Sequence, residues 1–165
     1  MKIADNLVPK KRVSRYLNRV PQDGEISVLF LGDPTGGYEW WTSSPEGKRV
    51  ANRVPLGGEK PDKDAKLVWI CPILDMADKK KKIWVISQKS IQRQISACCE
   101  ADGLEDGAVE VIVRRLGAGM DSVYSVSTRA LDDGENFRAA NREEMELGCD
   151  PAALFSSGDP FACSY

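Results

Sequence analysis

Flat aromatic side chains and cations are interleaved through the middle of the chain. Tyr38, Trp40 and Trp41 precede Lys48, Arg49 and Arg53; Lys60, Lys63 and Lys66 lead to Trp69; the run Lys79, Lys80, Lys81 and Lys82 adjoins Trp84, Lys89 and Arg93. From Lys48 to Arg93 twelve basic residues stand against five acidic ones, a local charge of +7. The chemistry this mixture suits is non-covalent. Cations meet phosphates, and unpaired bases stack on flat rings for about 1–3 kcal/mol each. Acid–base and nucleophilic chemistry has little to work with, because none of the 165 residues is histidine. That removes the Ser-His and Cys-His pairs and most zinc and haem sites. No catalytic residue, no metal and no cofactor is expected.

Each of these positions also has a plain structural reading. Side chains alternate between the two faces of a strand, so neighbouring Trp40 and Trp41 cannot both be core if only one face is buried. One of them is expected in solvent. Trp69 and Trp84 lie among Leu, Val, Ile and Cys and read as core, although Trp84 stays among the candidate contacts. The lysines at 79–82 follow Asp78 in a hairpin-like connection, where a solvated turn competes with a phosphate contact. Arg114, Arg115 and Tyr124 complete the candidate binding set.

A β-rich domain must carry these residues. Alternating or continuous apolar runs predict strands at about 25–31, 38–43, 67–74 with a continuation or partner at 83–87, 109–115 and 122–127. Ile91, Ile95, Cys98 and Cys99 make one apolar stripe, which predicts a single helix over 87–101. Three strand regions, a helix and two further strands predict a five-stranded OB-type Greek-key barrel whose end the helix plugs. The polar, Gly-, Pro- and Lys-rich stretch 47–66 is read as a long mobile loop.

Charge divides the chain further. Residues 1–20 carry Lys2, Lys10, Lys11, Arg12, Arg15 and Arg19 against Asp5, and from Arg129 onward eight acidic residues outnumber three basic ones. The expected organisation is a basic arm at 1–20, a binding domain at 21–130 and an acidic, partly mobile extension at 131–165. An acidic segment tethered beside a cationic domain is expected to compete for the anion-binding groove. The alternative is that Phe137, Met145, Leu147, Leu154 and Phe155 pack as a terminal helix. The five cysteines, odd in number and without C-x-x-C spacing, read as buried or incidental thiols. No apolar run of about 18–20 residues predicts a membrane span or a secretory signal, so a cytoplasmic location is expected.

Two motif-like stretches carry little. Asp33 with Glu46-Gly47-Lys48 has the order of some metal-dependent nucleases, but Ser44-Pro45-Glu46-Gly47 reads as a turn rather than a rigid strand. Gly117-Ala118-Gly119 lacks the third glycine and following helix of a dinucleotide fingerprint.

Leu31-Gly32-Asp33, Tyr38-x-Trp40-Trp41, Ile83-x-Val85-Ile86-Ser87 running into the helix, and Arg114-Arg115-x-Gly117-x-Gly119-x-Asp121-Ser122-x-Tyr124-x-Val126 follow one another over about 25–128. This ordered series resembles tailed-phage single-stranded DNA-binding proteins of OB fold. The resemblance implies a non-enzymatic protein that coats and protects single strands without strong sequence preference during phage replication and recombination, in the host cytoplasm. It implies self-association through a basic arm at Lys10-Lys11-Arg12-Val13-Ser14, and recruitment of replication or recombination partners by the acidic extension. Some relatives hold zinc between the second and third strands; residues 47–66 contain neither Cys nor His, so no zinc is expected here. A reading from another class is a small β-barrel structural or protein-interaction module, a virion or complex component, with the aromatics forming a protein interface.

Overall fold

The computed structural model describes residues 14–102, 109–131, 148–156 and 158–161. They form seven strands and one long helix: β1 (Glu25–Phe30), β2 (Thr35–Ser43), β3 (Arg49–Pro55), β4 (Lys66–Asp75), β5 (Lys80–Ile86), α1 (Lys89–Asp102), β6 (Val109–Leu116) and β7 (Val123–Ala130). The fold is therefore mostly β. All strand pairs are antiparallel, in the order β3-β2-β4-β1-β6-β7, with β5 on the second edge of β4. The sheet is not closed, since among the described residues β5 and β7 do not pair.

The sheet departs from the expected five strands in three places, of which the second and third raise the count to seven. First, β1 and β2 share one edge of β4, with Phe30 opposite Ile73 and Thr35 opposite Ile70. They are one long strand broken at Leu31–Pro34, where the Leu31 N–H still donates to the Pro72 carbonyl at 2.9 Å. Proline in a central strand lacks a ladder donor; here Pro72 falls beside that break, with Gly32 leaving room for its ring. Second, the expected third region is two strands, β4 and β5, joined by a turn at 76–79. Third, the expected loop 47–66 contains β3, whose Arg49, Asn52, Arg53 and Pro55 hide its strand character. These are residues an edge strand tolerates, since only one side of it must pair.

Two apolar clusters sit on opposite faces of the sheet. Val28, Cys71, Ile73, Trp84, Ile86, Val111 and Val113 face α1, which contributes Ile91 and Ile95 as its stripe predicts. On the other face Leu29, Leu31, Val68, Ile70, Leu74 and Ile83 meet Cys149, Phe155 and Phe161. Residues expected to trail from the domain instead cover it, over the described 148–156 and 158–161. Of the proposed terminal helix, Leu154 and Phe155 lie in a 3-10 helix (Pro151–Ser156) against the sheet; Phe137, Met145 and Leu147 fall outside the described residues. Phe155 comes so close to β2 that a Cβ on Gly37 would lie 2.0 Å from its ring and 2.5 Å from the Val54 carbonyl oxygen. Gly37→Ala is therefore expected to cost about 1–3 kcal/mol or more by overpacking. A shift of the thermal midpoint measures it, and an unchanged midpoint would place Phe155 elsewhere.

The helix ties the open sheet together through two glutamines. Gln92, 5% exposed, donates to the carbonyls of Leu67 and Ile86, both at 3.0 Å. Gln94 donates to the Tyr124 carbonyl at 2.8 Å and accepts from the Val126 N–H at 3.0 Å, so its amide occupies the outer edge of β7 as a strand would. The outer edge of β5 is occupied by residues 15–17: the Leu17 N–H donates to Ile83 and the Ile83 N–H to Arg15. The basic arm thus ends as an extended segment on the sheet, while Lys10, Lys11, Arg12 and Val13 lie outside the described residues. Among the described residues no helix is long and apolar enough to cross a membrane.

Candidate nucleic-acid interface

The β2–β3 hairpin turns through Ser44–Lys48 as its composition predicts. The Gly47 N–H donates to the Ser44 carbonyl at 2.9 Å and the Lys48 N–H to the Ser44 hydroxyl at 3.1 Å, and Gly47 takes φ 78, a left-handed value suited to glycine. The Glu46-Gly47-Lys48 stretch is this exposed turn. Strand alternation then sorts the aromatics. Register places Glu39 and Trp41 on one face with Arg53 and Arg49, and Tyr38 and Trp40 on the other with Val54 and Asn52.

Trp41 is the tryptophan that reaches solvent, at 50% exposure, and the Arg49 guanidinium lies 5.4 Å from its ring centroid. Such a pair offers a flat surface and a cation at one place. Lys48 beside it is exposed. Arg53 is held at 2.7 Å by Glu39, a buried carboxylate, so much of its charge is already answered. Trp40 and Tyr38 are half-buried.

On the Tyr38–Trp40 face the sheet continues into β4, with Tyr38 opposite Leu67 and Gly36 opposite Trp69. There α1 stands off the sheet and leaves an open cleft of about 520 Å³, floored by Leu67 and half-buried Trp69 and walled by Lys89, Gln92, Arg93 and Ser96. The sequence presents Trp69, Lys89 and Arg93 only as parts of a long mixture. The i, i+4 spacing of the two cations is the signal that they share a helix face.

The remaining candidates do not join this surface. Trp84, 4% exposed, is core and cannot stack on a base. Lys82 is buried, with its Nζ 2.8 Å from both Asp75 and Asp78. Burial lowers the Lys82 pKa, but its hydrogen bonds to these carboxylates prevail and hold it above the usual lysine value; the bond from Lys82 holds Asp78 below the usual carboxylate value. Lys79 adopts φ 58, and Asp75 and Asp78 accept from the Ala77 and Lys80 N–H groups, so the lysine run is in large part a turn built on two aspartates. Lys80 is exposed and Lys81 half-buried. This turn lies at the far end of the ten-residue β4 from the hairpin, about 30 Å away at 3.3 Å per residue. Arg114 pairs with Glu25 at 2.7 Å in solvent, and Arg115 is anchored on Ser122 and the Val20 carbonyl. Tyr124 packs on the helix-side core.

A second buried carboxylate sets an acid limit. Burial raises the Glu110 pKa, yet hydrogen bonds from Ser27 and Arg129 outweigh it and the net shift is downward. A depressed carboxylate stabilises the fold fully above its unfolded value, about 4.3, and loses that contribution as pH falls through the folded value. The melting temperature should therefore drop below about pH 4, and Glu110→Gln should shrink the drop; an identical acid limb in the variant would assign the transition to other groups.

Among the described residues no group of three or more Cys, Asp or Glu side chains could hold a metal. No family model, no curated protein and no solved structure matches the chain.

Proposed function

We propose that the chain is a non-enzymatic single-stranded DNA-binding protein of OB type, which coats and protects single strands without strong sequence preference in the manner of the tailed-phage proteins it resembles. The observation that carries the reading is the exposed Trp41 with the Arg49 guanidinium over its ring near the tip of the β2–β3 hairpin. Strand connectivity supports the OB assignment: with β1 and β2 counted as one bent strand, the order β5-β4-β1/β2-β6-β7 with α1 between β5 and β6 is that of a partly open five-stranded Greek key, and β3 is an addition to the loop after its first strand. In OB domains the face of the second and third strands commonly takes oligonucleotides. Here those strands are β4 and β5, and their outer face is covered by Phe155 and Phe161. Uncovering two phenylalanines would cost about 1.5–3 kcal/mol each, so the strand is taken to run over the hairpin instead.

The experiment is a mobility shift with a single-stranded oligonucleotide and its duplex. Single strands should bind well above duplex, because stacking needs unpaired bases, and binding should fall steeply with salt. Equal affinity for duplex would defeat the stacking reading. The reading extends to phage replication and recombination, self-association through the arm and partner recruitment by the acidic extension. One observation favours the second reading, a protein-interaction module: Leu116, Met120 and Val123 expose an apolar patch at the β6–β7 turn, with Met120 at 105%. A complex formed there would survive high salt.

A further inference from the structure

We propose that the cleft between α1 and the start of β4 seats one nucleotide of the bound single strand, with its base against Trp69 and its phosphate between Lys89 and Arg93. The inference rests on the single-strand reading and adds a second contact point to it, on the opposite face of β2 from Trp41. Four observations carry it. The cleft, about 520 Å³, falls within the range of small-molecule sites, about 300–1,000 Å³. Trp69 lies in its floor half-buried, between Ile86, its partner in β5, and Gly36, its partner in β2, which adds no side chain of its own although Leu56 lies above it. Lys89 and Arg93 are exposed on one side of the helix, and among the described residues neither makes an ion pair. A phosphate there would meet two uncompensated cations.

The fourth observation is an orphan acceptor. Gln92 is 95% buried by its 5% exposure, and both of its described side-chain bonds are donations from Nε2, to Leu67 and Ile86. Among the described residues its Oε1 has no donor. A buried amide oxygen without a donor loses a hydrogen bond's worth of solvation, and a base N–H resting on Trp69 would supply one. Because Nε2 is fixed to two strand carbonyls, the oxygen is preoriented. Glu100, at the other end of the helix wall, repels phosphate and gives the cleft a polarity that fixes which way the nucleotide lies.

The test uses the full chain and a fluorescein-labelled thymidine oligomer followed by anisotropy. Ala97→Trp fills the cleft from an exposed helix position, and Arg93→Glu reverses its charge. Ala97→Trp should weaken binding by about five- to 150-fold, the range of one lost stack, and Arg93→Glu should weaken it and lower the salt slope by about 0.7, the share of one phosphate contact. Leu116→Ala, away from both surfaces, should bind as wild type does. If Trp41→Ala weakens binding while both cleft variants bind normally, the cleft is overturned and the hairpin reading stands. If the wild-type chain fails to bind the oligomer, both fall. Should Ala97→Trp fail to fold, Arg93→Glu alone decides: unchanged affinity and salt slope overturn the proposal.

Discussion

Trp41→Ala should weaken binding to an unstructured oligonucleotide by about five- to 150-fold while leaving the fold intact. The magnitude is that of one base stacked on one ring, about 1–3 kcal/mol. The fold should survive because half of Trp41 is already in solvent and it belongs to neither apolar cluster; exposed substitutions usually stay within about 0.5 kcal/mol. Trp41→Phe should retain most of the affinity, since the flat face remains. Neutralising Lys48, Arg49 and Arg53 together should flatten the salt dependence, by about 0.7 per lost phosphate contact. Arg53 should contribute least, being held by Glu39. Anisotropy titrations over a range of salt measure both effects. A Trp41→Ala protein that binds like wild type would move the stacking surface off the hairpin.

Deleting the chain from Asp132 onward should unfold the domain. The deletion strips Cys149, Phe155 and Phe161 from Val68, Ile70, Leu74 and Ile83, each of which is at most 1% exposed in the intact protein. At about 1.5–3 kcal/mol for each large side chain, the loss approaches the 5–15 kcal/mol that a whole domain commonly has. The acidic character of the extension suggests a different outcome, a folded truncation with higher DNA affinity at low salt and a gain that fades as salt rises. Circular dichroism and anisotropy on the truncated chain separate the two. Phe155→Ala isolates the packing part and should cost about 3–5 kcal/mol.

The parts of this architecture that were legible in the sequence are those where burial imposes a period. The helix over Ile91 and Ile95, the strand at Val109–Val113, apolar but for Glu110, and the turn at Ser44–Gly47 all follow from local pattern. What failed to show was pairing. Nothing local says that Tyr38–Ser43 extends the first strand along β4 rather than turning back on it, because both arrangements ask for the same residues. Strand β3 is an edge strand with little to bury, so its polar composition reads as loop. The lysine run shows a different limit: four identical residues look equivalent, and only the folded turn brings the Lys82 Nζ to Asp75 and Asp78 while Lys80, opposite Asp75 in the ladder, stays exposed. For Trp40 and Trp41 the alternation rule predicts that one is exposed, and the partner strand with its Arg49 decides which.

The cover over the second face of the sheet has a consequence in time. Strands β4 and β5 are complete once Ile86 has been synthesised, but Phe161 follows 75 residues later in the chain, roughly 4–15 s at common translation rates. During that interval a nascent chain offers Val68, Ile70, Leu74 and Ile83 to whatever is near. Such a chain depends on a holdase, or on dilution, until its own later residues arrive, and slowing translation beyond Ile86 should increase the insoluble fraction more than slowing it earlier.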